Sequence, residues 1–438
     1  MNIKKLSHDI AMIFLPLLLS VFIGLCLLVL VYSIPTDGII ENVFSAGKTI
    51  EAETTYPQVF PKLITSRLDN WTDSIMMLEA AHPNSGGSLE AAVKNQHNRV
   101  RGENPAESLV LQSKQETNEL YTMDYSRYWH GYLVLLKPLF SFMQYTQIRV
   151  LNTVFISLLT LLMLLLLYMK HLRRIIVPFL AMVCFLTPLA VFKSMQFSSV
   201  FYIAIISSIL LIVYFDRLEK KKYFRLMFLF IGILTAYFDF LTYPIITVAV
   251  PLVFFILLSK SNQWKTLIPQ ILLLGVYWCI GYIGMWGSKI LISTWLFGNN
   301  TMAVSSENIT RHLGIDAGLS LGERVSVIGR NIQVYYHWFY LLVAFVSVIL
   351  SFVFAAHQRT LRMIPSSPKS FALLLVGLLP FAWMIVTAQH SYVHFWFTHR
   401  NLVVTVFAVL CIIVQSPKQE SALVQPDKTT NVKEGIGV

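Results

Sequence analysis

Residues 124 to 132 read Asp-Tyr-Ser-Arg-Tyr-Trp-His-Gly-Tyr, a short stretch that crowds an acid, a fixed cation, a titratable ring and several aromatic bodies together. Asp124, Arg127 and His130 bring the charge chemistry. Trp129 and the tyrosines have the apolar body and polar tip that suit a membrane–water boundary. The same composition would also serve as an interfacial anchor with no chemistry attached. Other polar groups in unusual places favour a site. Asp69 and Asp73 stand four apart on a helix predicted over 64–80, so both carboxylates share a face. Asp239 falls in Tyr-Phe-Asp-Phe-Leu-Thr-Tyr-Pro, residues 237–244, where a carboxylate at the end of an apolar helix is costly unless it faces a partner or water. Its plainer explanation is snorkelling beside the break at Pro244. Residues 390–400, His-Ser-Tyr-Val-His-Phe-Trp-Phe-Thr-His-Arg, add His390, His394, His399 and Arg400.

Acids, an arginine and aromatic faces at one membrane surface suit the transfer of a sugar from a lipid-phosphate carrier. A carboxylate takes the proton of the acceptor hydroxyl, a cation holds the phosphate that leaves, and aromatic faces stack on the sugar. Because such a donor is anchored in the bilayer, no nucleotide-binding fold is needed. The chain has no Gly-rich phosphate loop and no Gly-x-Ser-x-Gly elbow. The histidine run has the spacing of metal ligands, but it lacks a carboxylate and is interleaved with Trp396 and Phe397, which fits a lipid headgroup or a sugar better. No metal ligands are assigned and no cofactor is specified, although a divalent metal stays open.

The elements that must position these groups follow from composition. A chain of 438 residues that is 55% hydrophobic and 13% charged, with a mean hydropathy of +0.62, is expected to be an all-α polytopic membrane protein. Its 34 Lys and Arg against 23 Asp and Glu sit in short runs between apolar segments. That is the positive-inside pattern and not a nucleic-acid surface. Cys26, Cys184, Cys279 and Cys411 all fall in apolar segments without ligand spacing, so neither a disulfide framework nor a zinc site is indicated.

Residues 1–34 are expected to hold a cytoplasmic N-terminus, marked by Lys4 and Lys5, and an uncleaved first span. Residues 35–147 then form a long external segment, with a mobile loop or small cap from 82 to 119 and a helix from 133 to 145 lying along the membrane. Residues 148–414 carry the remaining spans, at 148–169, 175–192, 198–215, 226–243, 245–258, 267–291, 336–356, 371–388 and 401–414. An external loop occupies about 297–335. Basic runs near Lys170, Lys220, Lys260 and Arg359 fall at every second return, which supports about ten transmembrane helices with both termini in the cytoplasm. Residues 415–438 are polar and expected to be a disordered tail. Gly281, Gly284 and Gly287 point to close helix packing.

A long first external loop with acids, a surface-lying helix within it and many spans resemble the GT-C class of integral membrane glycosyltransferases. Looser likenesses run to membrane proteins of Gram-positive bacteria. The resemblance implies a polyprenyl-phosphate-linked sugar donor, an envelope polymer or lipid as acceptor, and catalysis on the outer face of the cell membrane. In many of those enzymes the catalytic acid follows the first helix closely, often as a pair. Asp37 holds that place without a neighbouring acid, and the stronger acidic cluster is Asp69 and Asp73. The base is therefore expected at Asp73 or Asp69, with Asp37 in reserve. The phosphate contact is expected at Arg127 or Arg400. Asp124, Trp129, His130, Asp239, Tyr243, His394 and His399 are expected to line the substrate. A lipid-linked flippase or transporter is the main alternative, although its ionisable groups belong near mid-membrane. A membrane acyltransferase should carry a histidine deep in the bilayer, where this chain has none. A non-catalytic assembly partner is the remaining reading.

Overall fold

The computed structural model describes residues 3–415, except 85, 118, 299 and 358–366. The expected tail and the return at Arg359 and Arg362 lie outside the described residues. The fold is nearly all helix, with one small antiparallel pair of strands, His97–Val100 against Leu120–Met123.

Among the described residues, seven helices are long and apolar enough to cross a membrane: Met12–Tyr32, Tyr145–Met169, Met195–Lys221, Trp264–Phe297, Trp338–Ala356, Pro368–Val386 and Phe395–Val414. Three further stretches expected to span differ from that pattern. Residues 175–192 split into Ile176–Phe185 and Pro188–Lys193, because Thr187 takes a left-handed conformation (φ 56°) and Pro188 starts a new helix. Phe224–Phe238 and Ile245–Leu258 are 15 and 14 residues long. At 1.5 Å per residue each covers about 21–23 Å, short of a hydrocarbon core of about 30 Å. Summed apolarity hides the break at Thr187; the one expected at Pro244 is present and begins earlier, at Asp239.

Small residues set the closest helix contact. A methyl group at Gly232 would lie 2.1 Å from the Trp278 carbonyl, and one at Gly281 would lie 2.1 Å from the Leu229 carbonyl. The Phe224–Phe238 and Trp264–Phe297 helices therefore meet backbone to backbone. Gly284 faces Leu17 of the first helix, while Gly287 faces open space.

The segment between the first two long helices forms an ordered cap. Its central helix is Asn70–Ala81 and starts later than the apolar pattern suggests, because Asp69 caps it by accepting from the Thr72 amide at 3.1 Å. Ile64–Ser66 is a separate single turn. The stretch expected as a polar loop holds two helices, Ser88–Lys94 and Pro105–Ser113. The second begins with a capping box between Asn104 and Glu107 and a proline at its first position. Leu133–Phe140 is a short helix whose Lys137 is buried and donates to the Ala80 carbonyl at 2.7 Å, docking it under the central helix. Between the Trp264–Phe297 and Trp338–Ala356 helices, the 297–335 loop contains the Thr301–His312 and Leu321–Gln333 helices.

Candidate functional site

The central cap helix carries three buried acids with different surroundings. Asp73 accepts from Tyr145 Oη (2.8 Å), Ser194 Oγ (3.3 Å) and the backbone amides of Met195 (3.2 Å) and Gln196 (3.1 Å). It therefore satisfies the free amides that begin the Met195–Lys221 helix and complements their dipole. Burial raises the Asp73 carboxyl's pKa, with Arg149 and the amide donors opposing. Asp69 accepts only from its own turn, from the Thr72 amide and from Thr72 Oγ1 at 2.8 Å. Burial pushes its carboxyl up to about 7 against those bonds. The shared face expected for the two carboxylates is thus divided: Asp73 turns to the helix bundle, and Asp69 folds back on Thr72.

Arg400 is fully buried and gives its guanidinium to carbonyls, Leu186 O at 3.2 Å and Thr65 O at 2.9 Å, with Phe197 stacked 4.3 Å away. Its charge nevertheless reaches Asp69. His399 is buried beside it, with Nδ1 3.0 Å from the Phe395 carbonyl. Tyr243 is buried too and donates to the Phe197 carbonyl.

The 124–132 stretch is a folded loop held from behind. His130 takes a left-handed conformation (φ 54°), and Gly131 follows because a methyl group there would stand 2.2 Å from Tyr237 Cδ1. His130 Nε2 donates to the Tyr125 carbonyl at 2.7 Å, while Nδ1 lies 2.9 Å from Glu79 Oε2. Tyr132 Oη donates to the same oxygen at 2.5 Å. Trp129 is fully buried, donates to the Met285 carbonyl at 2.6 Å and offers no face to a ligand. Phe240 closes the cluster, its ring centre 5.0 Å from His130 and 5.1 Å from Tyr132.

Arg127 is placed differently. Its guanidinium lies 4.5 Å from the Tyr125 ring and 5.6 Å from the Tyr128 ring, with no carboxylate in ion-pair range among the described residues. It borders a cavity of about 210 Å³ shared with Asp124, Ser126, Asn300 and Thr301. Asp124 is exposed and accepts from Gln96 at 2.7 Å. Burial raises the Tyr125 phenol's pKa, Arg127 opposes it, and Glu79 and Asp69 add to it. Tyr125 thus stands within electrostatic reach of both ends of the cap helix.

Asp239 ends the Phe224–Phe238 helix and accepts from the Thr242 amide (3.1 Å) and hydroxyl. The chain break after it is fastened by His390 Nε2 on the Leu241 carbonyl (2.8 Å) and by Asn401 on the Ile245 amide (3.2 Å). His390 lies 4.9 Å, ring to ring, from both His312 and His394. Burial and these neighbours hold His390 well below its ordinary pKa, and burial with Arg127 and other cations holds His312 down to about 4. Among the described residues, no group of three or more His, Cys, Asp or Glu is placed to hold a metal ion. Asp37 stands apart, exposed in the first turn of Asp37–Phe44, beside the residue that packs on Ser141.

An apolar cavity of about 670 Å³ lies among Leu133–Phe140, Tyr145–Met169, Met195–Lys221 and Phe224–Phe238. Met76, Tyr132 and Met195 belong to its wall. Met195 is bound to Asp73, and Tyr132 to Glu79, so both buried braces of the cap helix reach this cavity.

Two members of the polar interior were not singled out as site residues from sequence. Glu79 is fully buried behind the 124–132 loop. Lys289, also buried, donates to Asn95 Oδ1 (2.6 Å) and the Ala92 carbonyl (2.9 Å). The signal was there in both, an ionisable residue inside an apolar run. No family model matches the chain, and no curated protein or solved structure matches it.

Proposed function

We propose that this protein is a membrane glycosyltransferase of GT-C type, moving a sugar from a lipid-phosphate carrier to an envelope polymer or lipid on the outer face. Asp69 is the base, since a carboxylate with a pKa near 7 and only local hydrogen bonds can accept a proton from an acceptor hydroxyl. Asp73 braces the adjoining helix. Arg127, free of any carboxylate among the described residues, holds the carrier phosphate. The apolar cavity takes the carrier's hydrocarbon. The seven long helices, with the broken stretch at 176–193 and the two short helices, make ten passes, with both termini inside.

The observation that carries this reading is the buried Asp69 carboxylate, bound by Thr72 of its own turn and one helical turn from Asp73, which holds Met195 of the apolar cavity's wall. The test is sugar analysis of the cell envelope in Asp69→Asn cells with unchanged membrane abundance. Loss of one sugar decoration is expected, and full decoration rejects the assignment.

A lipid-linked flippase is the second reading, and the discontinuous chain at 239–244 favours it, because transporters bind at such breaks. Purified protein in vesicles separates the two. Translocation of a polyprenyl-phosphate sugar without transfer to an acceptor supports the flippase.

A further inference from the structure

The chain ahead of the cap helix doubles back on itself. Leu68 N donates to the Pro57 carbonyl at 2.8 Å, Val59 N to Ser66 O at 3.2 Å, and Asn70 N to Thr55 O at 3.2 Å. That turn brings Tyr56 beside Arg67 and Trp71. The Tyr56 and Trp71 rings lie within 6° of parallel with centres 6.3 Å apart, and Trp396 meets Tyr56 edge-on at 5.2 Å. Tyr56 is 38% exposed, so its ring is reachable from solvent.

Arg67 sits among these rings, its guanidinium 5.8 Å from the Tyr56 centre and 5.5 Å from that of Trp396. It has no carboxylate in ion-pair range among the described residues, and its Nε is buried without a hydrogen-bond partner. A buried N–H of this kind calls for an acceptor. Burial, then the Asp69 charge, raise the Tyr56 phenol's pKa, and Arg67 opposes them, so acid, ring and cation are neighbours. Arg400 adds a second positive charge through its bond to Thr65 O. Of the two arginines, Arg400 acts on Asp69, whose carboxyl burial raises to about 7, and Arg67 acts on Tyr56.

We propose that Tyr56, Arg67 and Trp71 form a binding site for an acidic sugar, with the buried Trp396 backing the Tyr56 ring. The rings stack on the C–H faces of the pyranose, and the planar fork of Arg67 takes its carboxylate in two parallel hydrogen bonds. The name acceptor for this sugar rests on the transfer reading above, since Asp69 would then meet its free hydroxyl; the binding itself does not.

The test is a titration of the purified full-length protein in detergent, read by tryptophan fluorescence or calorimetry. The probes are a glucuronic-acid-terminated disaccharide and its glucose-terminated counterpart. The acidic probe is expected to bind on the order of tenfold more tightly, and Arg67→Gln to erase that preference. Trp71→Ala is expected to weaken both probes on the order of tenfold, and Trp71→Phe to retain most of the binding. Unchanged thermal unfolding of Arg67→Gln and Trp71→Phe shows that the fold is intact. Equal binding of the two probes overturns the acidic-sugar assignment. Absence of binding by folded wild type overturns the site altogether and leaves the rings as an interfacial anchor. Asp69→Asn separates this claim from the transfer reading: intact binding with an unaltered envelope rejects the transfer reading and leaves the sugar site standing.

Discussion

The two ends of the Asn70–Ala81 helix bury their acids equally and use them differently. At its C-terminal end Glu79 gathers Tyr132 and His130, which fix the 124–132 loop, and Lys289 stands close by on Asn95. At its N-terminal end Asp69 touches only Thr72, with aromatic rings and Arg67 opening toward solvent. Asp73 lies between them and sides with the closed end, its four donors drawn from the start of the Tyr145–Met169 helix and from Ser194, Met195 and Gln196 at the start of Met195–Lys221. Burial alone therefore does not distinguish a brace from a reactive group. The source of the partners does: Asp73 and Glu79 Oε2 are bound by groups from other elements and so hold those elements in place, whereas Asp69 is bound only within its own first turn among the described residues.

Breaking the closed end should have the largest effect on stability. Glu79→Ala leaves the Tyr132 hydroxyl buried without its acceptor and removes the carboxylate beside His130, and a loss of about 3–5 kcal/mol is expected in chemical or thermal unfolding. A loss under about 1 kcal/mol would mean that the latch on the 124–132 loop is not holding. Gly131→Ala tests the same loop by crowding, since its methyl group would meet Tyr237 Cδ1 at 2.2 Å and Tyr237 O at 2.6 Å. A cost of about 1–3 kcal/mol is expected.

At Arg127, on the loop that the closed end fixes, and at Asp69 in the open end, the effects should move from stability to activity. Arg127→Gln is expected to lower kcat/KM for the lipid-phosphate donor by about 10- to 100-fold, the worth of one charge-assisted contact, while unfolding stays within about 1 kcal/mol of wild type. Normal kinetics would send the phosphate elsewhere. The pH profile gives the smallest shift. Because burial raises the Asp69 carboxyl to about 7, transfer should rise as pH passes through about 7 and the base ionises. The same raised value makes folding favour the protonated acid, so Asp69's contribution to stability declines as pH rises from about 4 toward 7. A limb near pH 4 in the rate profile would point to an ordinary exposed carboxylate such as Asp37.

Much of the architecture was legible because long apolar runs announce themselves, and among the described residues seven helical stretches of 19 to 34 residues are long and apolar enough to cross a membrane. The break at Thr187 was not, since apolar residues flank it and a hydropathy window averages across it; the break at Pro244 was read from the proline, and only its early start at Asp239 was not. The clustering of Asp124, Arg127 and His130 was legible as a local stretch. The fate of Trp129 was not: the residue type suits a substrate platform, and only the bond to Met285 O shows it packed inside. Spacing placed Asp69 and Asp73 on one face, but the cap position turned Asp69 back on Thr72 and left Asp73 to the next helix. The Tyr56, Arg67 and Trp71 grouping depends on a turn whose backbone bonds have no distinct sequence signature.

The most direct measurement compares Asp69→Asn with Asp73→Asn in one preparation, recording sugar transfer and thermal unfolding for each. Asp69→Asn should lose about 10²- to 10⁴-fold in transfer with little change in unfolding, whereas Asp73→Asn should lose about 2 kcal/mol or more of stability. Full transfer by a folded Asp69→Asn protein would contradict the assignment of the base.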